Sequence, residues 1–92
     1  MFGRVTTFAA TDIAAIEDQL NDLGARSAAI PGQIRSEVVW ADDGKGMVVA
    51  LYEDEASAKA AEENALKIWA SVLPYLSAAP ETRAFPKAFI MK

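Results

Sequence analysis

The sequence predicts an α+β fold, a ferredoxin-like βαββαβ sandwich with an antiparallel sheet, and three observations predict it. Four short runs rich in β-branched and aromatic residues alternate with two runs of helical periodicity, in the order strand–helix–strand–strand–helix–strand. These six runs account for nearly all of the 92 residues. The two central strand runs are joined by Asp42-Asp43-Gly44-Lys45-Gly46, a composition that supplies the positive φ angles of a hairpin turn. A single domain spanning 1–92 follows. A chain of this length buries only about two-thirds of its unfolded surface, so assembly with a second copy would relieve a marginal core.

The first strand is expected over Phe2–Ala9, with Phe2, Arg4, Thr6 and Phe8 on one face and Gly3, Val5, Thr7 and Ala9 on the other. Thr11 or Asp12 can cap the helix that follows, because either side chain accepts from first-turn amides. Ile13, Ile16, Leu20 and Leu23 recur at spacings of three and four and form one apolar stripe. Gly24 suits the left-handed position that ends a helix. From Ala25 to Ile30 the pattern fits either a frayed turn or a second helical piece. Pro31-Gly32 breaks the chain and opens the second strand, Gln33 to Ala41.

The third strand, Met47 to Tyr52, has almost no polar face and belongs in the centre of the sheet. Asp54 caps the second helix, with Glu53 and Glu55 near its positive end. Ala58, Ala61, Ala65, Ile68, Val72 and Leu76 run down the buried face of that helix, flanked by Trp69 and Leu73. Pro74 lacks an amide hydrogen and should kink or restart the helix. Ser77 to Thr82 reads as a loop, and Arg83 to Met91 as a last strand with Pro86 at an edge or bulge.

Composition removes whole classes of chemistry. The chain has no cysteine and no histidine. That leaves no disulfide, no thiolate nucleophile, and neither the usual general base near neutral pH nor the commonest metal ligand. No metal site is expected, and no cofactor. The net charge is −4 and the nine basic residues are scattered, so no cationic stripe exists to follow a nucleic acid or an anionic membrane surface. Met1-Phe2-Gly3-Arg4-Val5 contains no apolar leader, and no run approaches the length of a membrane span, which points to the cytoplasm.

Both faces of the later strands are apolar. Val48, Ala50 and Tyr52 oppose Met47, Val49 and Leu51, while Phe85, Phe89 and Met91 oppose Ala84, Ala88 and Ile90. Two helices can cover only one face. The other is expected to pair with a second copy, two sheets face to face with the helices outside: a homodimer in the form of an α+β barrel.

The opening Phe2-Gly3-Arg4-Val5-Thr6, the Ile30-Pro31-Gly32 entry to strand two, and Met47-Val48-Val49-Ala50-Leu51-Tyr52 leading through Glu53-Asp54-Glu55-Ala56 into a helix carry a resemblance that covers essentially the whole chain. The sequence resembles the dimeric α+β barrel superfamily and, within it, the antibiotic biosynthesis monooxygenase-like proteins. The resemblance implies a cofactor-independent monooxygenase acting on a small aromatic or polyketide-like substrate in a cleft between helices and sheet. It directs attention to Asn64 and Trp69 as catalytic residues, with Tyr75 one or two turns on. An Asn would stabilise a phenol or its enolate, and a Trp would wall the pocket. Asn64 and Trp69 are five residues apart, roughly 140° around a helix. Trp69 therefore falls inside the apolar stripe and Asn64 at its rim.

Three further residues join the candidate substrate site. Glu62 lies close to the Trp69 direction, where it would serve either as a base beside the indole or as a solvated surface acid. Trp40 and Tyr52 each offer an apolar body and one polar tip, suited to a cavity wall, to core or to an interface. The alternative to catalysis is a non-catalytic small-molecule-binding or stress-associated barrel in which the same helix face is closed by packing.

Overall fold

The computed structural model describes residues 1–92 and has the predicted architecture: one four-stranded antiparallel sheet with helices on one face. The strands are β1 (Phe2–Ala9), β2 (Gln33–Trp40), β3 (Lys45–Tyr52) and β4 (Glu81–Phe85), in the spatial order β2-β3-β1-β4. β3 lies inside the sheet, as its lack of a polar face demands. Each helical run is interrupted once. The first divides into α1 (Ile13–Glu17) and α2 (Leu20–Ala28), the second into α3 (Glu55–Ala60) and α4 (Glu62–Ala70). A 3₁₀ turn, Leu73–Tyr75, follows with Pro74 in its first positions, where a missing amide costs nothing. No helix is long and apolar enough to cross a membrane.

The caps act as their chemistry dictates. Asp12 accepts from the Ala15 amide at 3.1 Å and Asp54 from the Ser57 amide at 2.7 Å. Gly44 takes φ +86° in the β2–β3 turn, and a Cβ there would strike the Ala10 carbonyl oxygen at 2.5 Å.

Two expectations are corrected. Gly24 does not end a helix. It sits inside α2, which runs on to Ala28 and absorbs most of the ambiguous 25–30 segment. The helix survives its glycine because tertiary contacts hold the far end: Arg26 donates to the Ser71 hydroxyl at 2.8 Å and to the Lys67 carbonyl at 3.3 Å, tying α2 to α4. Nor does the last strand reach Met91. β4 begins at Glu81, within the expected loop, and stops at Phe85, because Pro86 cannot donate to the ladder. The remaining chain crosses the sheet face opposite the helices. Ala88 lies over Gly3, Ile90 comes near Leu51 and Val49, and Arg35 donates to the Lys92 carbonyl at 3.2 Å.

The buried core is small. Phe2, Ile30, Tyr52, Ala58 and Ala61 form its cluster, with Ala50 and Ile68 packed against it. The small side chains of α3 let that helix lie close on β1 and β3, while α4 packs against α2. Only 10 of 92 residues are buried, so the space between sheet and helices is not filled by side chains.

Candidate functional site

The strand registers order the helix-facing surface of the sheet into rows. Phe2, Tyr52 and Gln33 form the first row; Arg4, Ala50 and Ser36 the second; Thr6, Val48 and Val38 the third; Phe8, Gly46 and Trp40 the last. Thr82 of β4 extends the third row, where its hydroxyl lies 2.8 Å from that of Thr6. The second row has its smallest side chain in the middle. Above it, Leu20, Leu23 and Ile16 from the first helical run and Ala65, Ile68 and Trp69 from the second complete a half-open cavity of about 520 Å³. That volume suits a small organic ligand.

Trp69 reaches the cavity from α4 and meets Phe8, their ring centroids 5.8 Å apart and the planes tilted by 57°. Gly46 makes this possible. A Cβ at that position would fall 2.6 Å from the Phe8 ring and against the Val39 carbonyl, so only glycine lets the Phe8 ring lie across β3.

Arg4 is the one cation on the cavity wall, and its side chain is only 15% exposed. Its guanidinium donates to the Ala58 carbonyl at 3.0 Å and to Glu62 at 2.8 Å. The same group lies 6.0 Å from the Phe2 ring centroid and 5.9 Å from that of Tyr52. Tyr52 is 2% exposed and lines the cavity. Burial raises its phenol pKa above the usual value, Arg4 partly opposing, so the group is a neutral donor at physiological pH. A second polar group lies at the β2 side. The Ser27 and Ser36 hydroxyls are 2.9 Å apart, and the Gln33 amide donates to the Ser27 hydroxyl at 3.0 Å and to the Ser27 carbonyl at 2.9 Å.

Of the residues expected at the site, Trp69, Tyr52 and Glu62 share the cavity wall. Asn64 is exposed on α4 and off that wall. Tyr75 is half-buried in the 3₁₀ turn, whose backbone is tied to the end of β1 through the Thr11 amide donating to the Tyr75 carbonyl at 2.8 Å. Trp40 is exposed at the end of edge strand β2 and also lies off the wall. The sequence reading missed Arg4, Gln33, Ser27 and Ser36 as site residues. For Arg4 a signal was present: a charged residue sharing a strand face with Phe2 and Phe8.

The fold can be compared with solved structures. SnoaB from Streptomyces nogalater, described as a cofactor-independent oxygenase, superposes with a TM-score of 0.78 at 17% identity, covering 98% of this chain and 95% of that one. The fold is shared with the antibiotic biosynthesis monooxygenases. One protein so described matches with a TM-score of 0.78 at 8% identity over 96% of this chain and 99% of its own. A protein of unknown function from Nitrosomonas europaea reaches 0.81 at 18% identity over 99% and 92%. No family profile matches the sequence, and neither does any curated protein. At such identities the likeness is one of fold.

Proposed function

We propose that this protein is a cofactor-independent monooxygenase that takes a small electron-rich hydroxy-aromatic into the cavity between sheet and helices. The observation that carries the reading is a cavity of about 520 Å³ that holds a tilted Trp69–Phe8 pair and one sheltered cation, Arg4, in a fold shared with a described cofactor-independent oxygenase.

The chemistry asked of the chain is modest. The Glu62 carboxylate takes the phenolic proton, and the Arg4 guanidinium stabilises the phenolate that remains. The phenolate delivers an electron to molecular oxygen, the resulting radical pair joins at a ring carbon as a peroxide anion, and Glu62 returns its proton to give the hydroperoxide. Loss of water across that carbon leaves a quinone, so one oxygen atom enters the product and the other leaves as water. Trp69 and Phe8 orient the ring and keep bulk water away; Tyr52 donates to a substrate oxygen. Asn64, Tyr75 and Trp40 have no part in this scheme.

The same reading includes a second copy of the chain. The outer sheet face and the segment crossing it expose Val39 (60%), Met47, Phe85, Phe89 (73%) and Met91, a group of apolar side chains that a partner sheet would cover.

Oxygen consumption with hydroxy-aromatic substrates tests the enzymatic claim. Binding without consumption would favour the non-catalytic barrel, a reading that the position of Asn64 off the cavity wall supports.

A further inference from the structure

The cavity floor is polar at two ends and apolar between them. Arg4 and Ser36 both pair with Ala50, one from each side, so the three residues lie in a single row across β1, β3 and β2. Adjacent strands are about 4.8 Å apart, which sets the Arg4 and Ser36 backbones roughly 10 Å from each other. Ala50 reaches least into the cavity of the three, leaving a flat apolar floor between a cation and a neutral hydroxyl–amide cluster.

The two ends differ in chemistry. A guanidinium has five N–H donors, and Arg4 commits two of them, to Ala58 and Glu62. One carboxylate, Glu62, also borders the cavity, but its side chain is 58% exposed and screened by solvent, whereas Arg4 is sheltered. Glu37 pairs with Val49 on the outer face, where its carboxylate meets Arg35. Arg4 keeps N–H donors free beyond those bonded to Ala58 and Glu62. At the other end Ser27, Ser36 and Gln33 carry no charge and both donate and accept.

We propose that the cavity selects a flat, bipolar aromatic ligand, with an anionic oxygen on Arg4, its ring over Ala50, and a neutral carbonyl or hydroxyl on the Ser27–Ser36–Gln33 cluster. This rests on the cavity being the ligand site of the proposed function, and it adds the charge and orientation of the ligand.

The test is calorimetric titration of the whole chain with two probes. Lawsone is a flat hydroxynaphthoquinone that is anionic at neutral pH, and its methyl ether is uncharged. Being already oxidised, both report binding without turnover. Wild type should bind lawsone at least about tenfold more tightly than the ether, the scale of one charge-assisted hydrogen bond. Arg4→Met should erase that preference, and Arg4→Lys, which keeps the charge and loses the fork, should retain part of it. Ser36→Ala should weaken both probes alike. Equal binding of the two probes to wild type overturns the anion subsite and leaves the cavity reading intact. Binding of neither overturns both. Lawsone preference in a protein that consumes no oxygen sinks the oxygenase and keeps the subsite.

Discussion

The Trp69 indole and the Phe8 ring meet at 5.8 Å, and Gly46 is what lets them do so. Gly46→Ala should therefore act on the cavity through Phe8. The added methyl meets the ring and the Val39 carbonyl, and neither can yield without moving β2 or tilting Phe8. A loss of about 1–3 kcal/mol is expected, with changed Trp69 fluorescence. Denaturant unfolding and emission spectra check it, and an unaltered emission maximum would contradict the coupling.

Trp69→Ala should destabilise less than the roughly 3–5 kcal/mol typical of a fully packed tryptophan. Trp69 lines open space, so truncation enlarges an existing cavity rather than creating one. Unfolding by denaturant reads the difference. A loss within the full range would mean that the indole is core.

Much of this architecture can be read directly from residue patterns. The Ile13–Leu23 and Ala58–Ile68 stripes, the Asp54 cap and the Gly44 turn are local features whose physics acts over a few residues. The stripe expected to run on to Leu76 stops where α4 ends at Ala70, and Leu76 turns extended beside Ala10. What escaped is non-local. Gly24 looked like a stop because nothing nearby reveals that Arg26 is anchored on α4. Phe89 and Met91 alternate like a strand, yet Pro86 releases them from the ladder, and no periodicity tells where a released segment lies. Of the aromatic side chains on the cavity wall, Trp69 and Tyr52 were among the expected residues and Phe8 was not. Arg4, Ser36 and Ser27 were not expected there, because they converge only once strand register and helix position are set.

Acid should expose the Asp54 cap. The Ser57 amide donating to its carboxylate lowers its pKa, with the Ser57 side chain and the Met1 ammonium acting in the same direction. The folded value lies below the unfolded one, so the stabilisation is present above the ordinary carboxylate pKa of about 3.9 and is lost as pH falls through the lowered folded value. Asp54→Asn, which can still cap but cannot titrate, should flatten this part of the pH–stability profile. Melting temperatures from pH 7 down to 2 measure it.

Alkali should work through Tyr52 with the opposite sense. Its folded pKa is raised by burial, so its stabilisation is complete below the unfolded value near 10 and lost as pH rises through the raised folded value. Tyr52→Phe should blunt the alkaline loss of stability, measured by chemical denaturation above pH 9. An identical profile in the variant would place the titrating group elsewhere.

The outer sheet face makes a prediction about assembly. Sedimentation should give twice the 9.9 kDa of one chain, and Val39→Glu with Met47→Glu should give a folded species of single mass. Wild type sedimenting as a monomer would leave that face without a second copy.

The most direct test is oxygen consumption by the chelator-treated, flavin-free protein supplied with an electron-rich polyhydroxy-aromatic. Uptake of one oxygen per quinone formed is expected, falling by at least about tenfold in Ala50→Phe, which fills the cavity floor, and in Arg4→Met, and unchanged in Asn64→Ala. Uptake that persists with the cavity filled, or none at all from wild type bound to its substrate, would contradict the account.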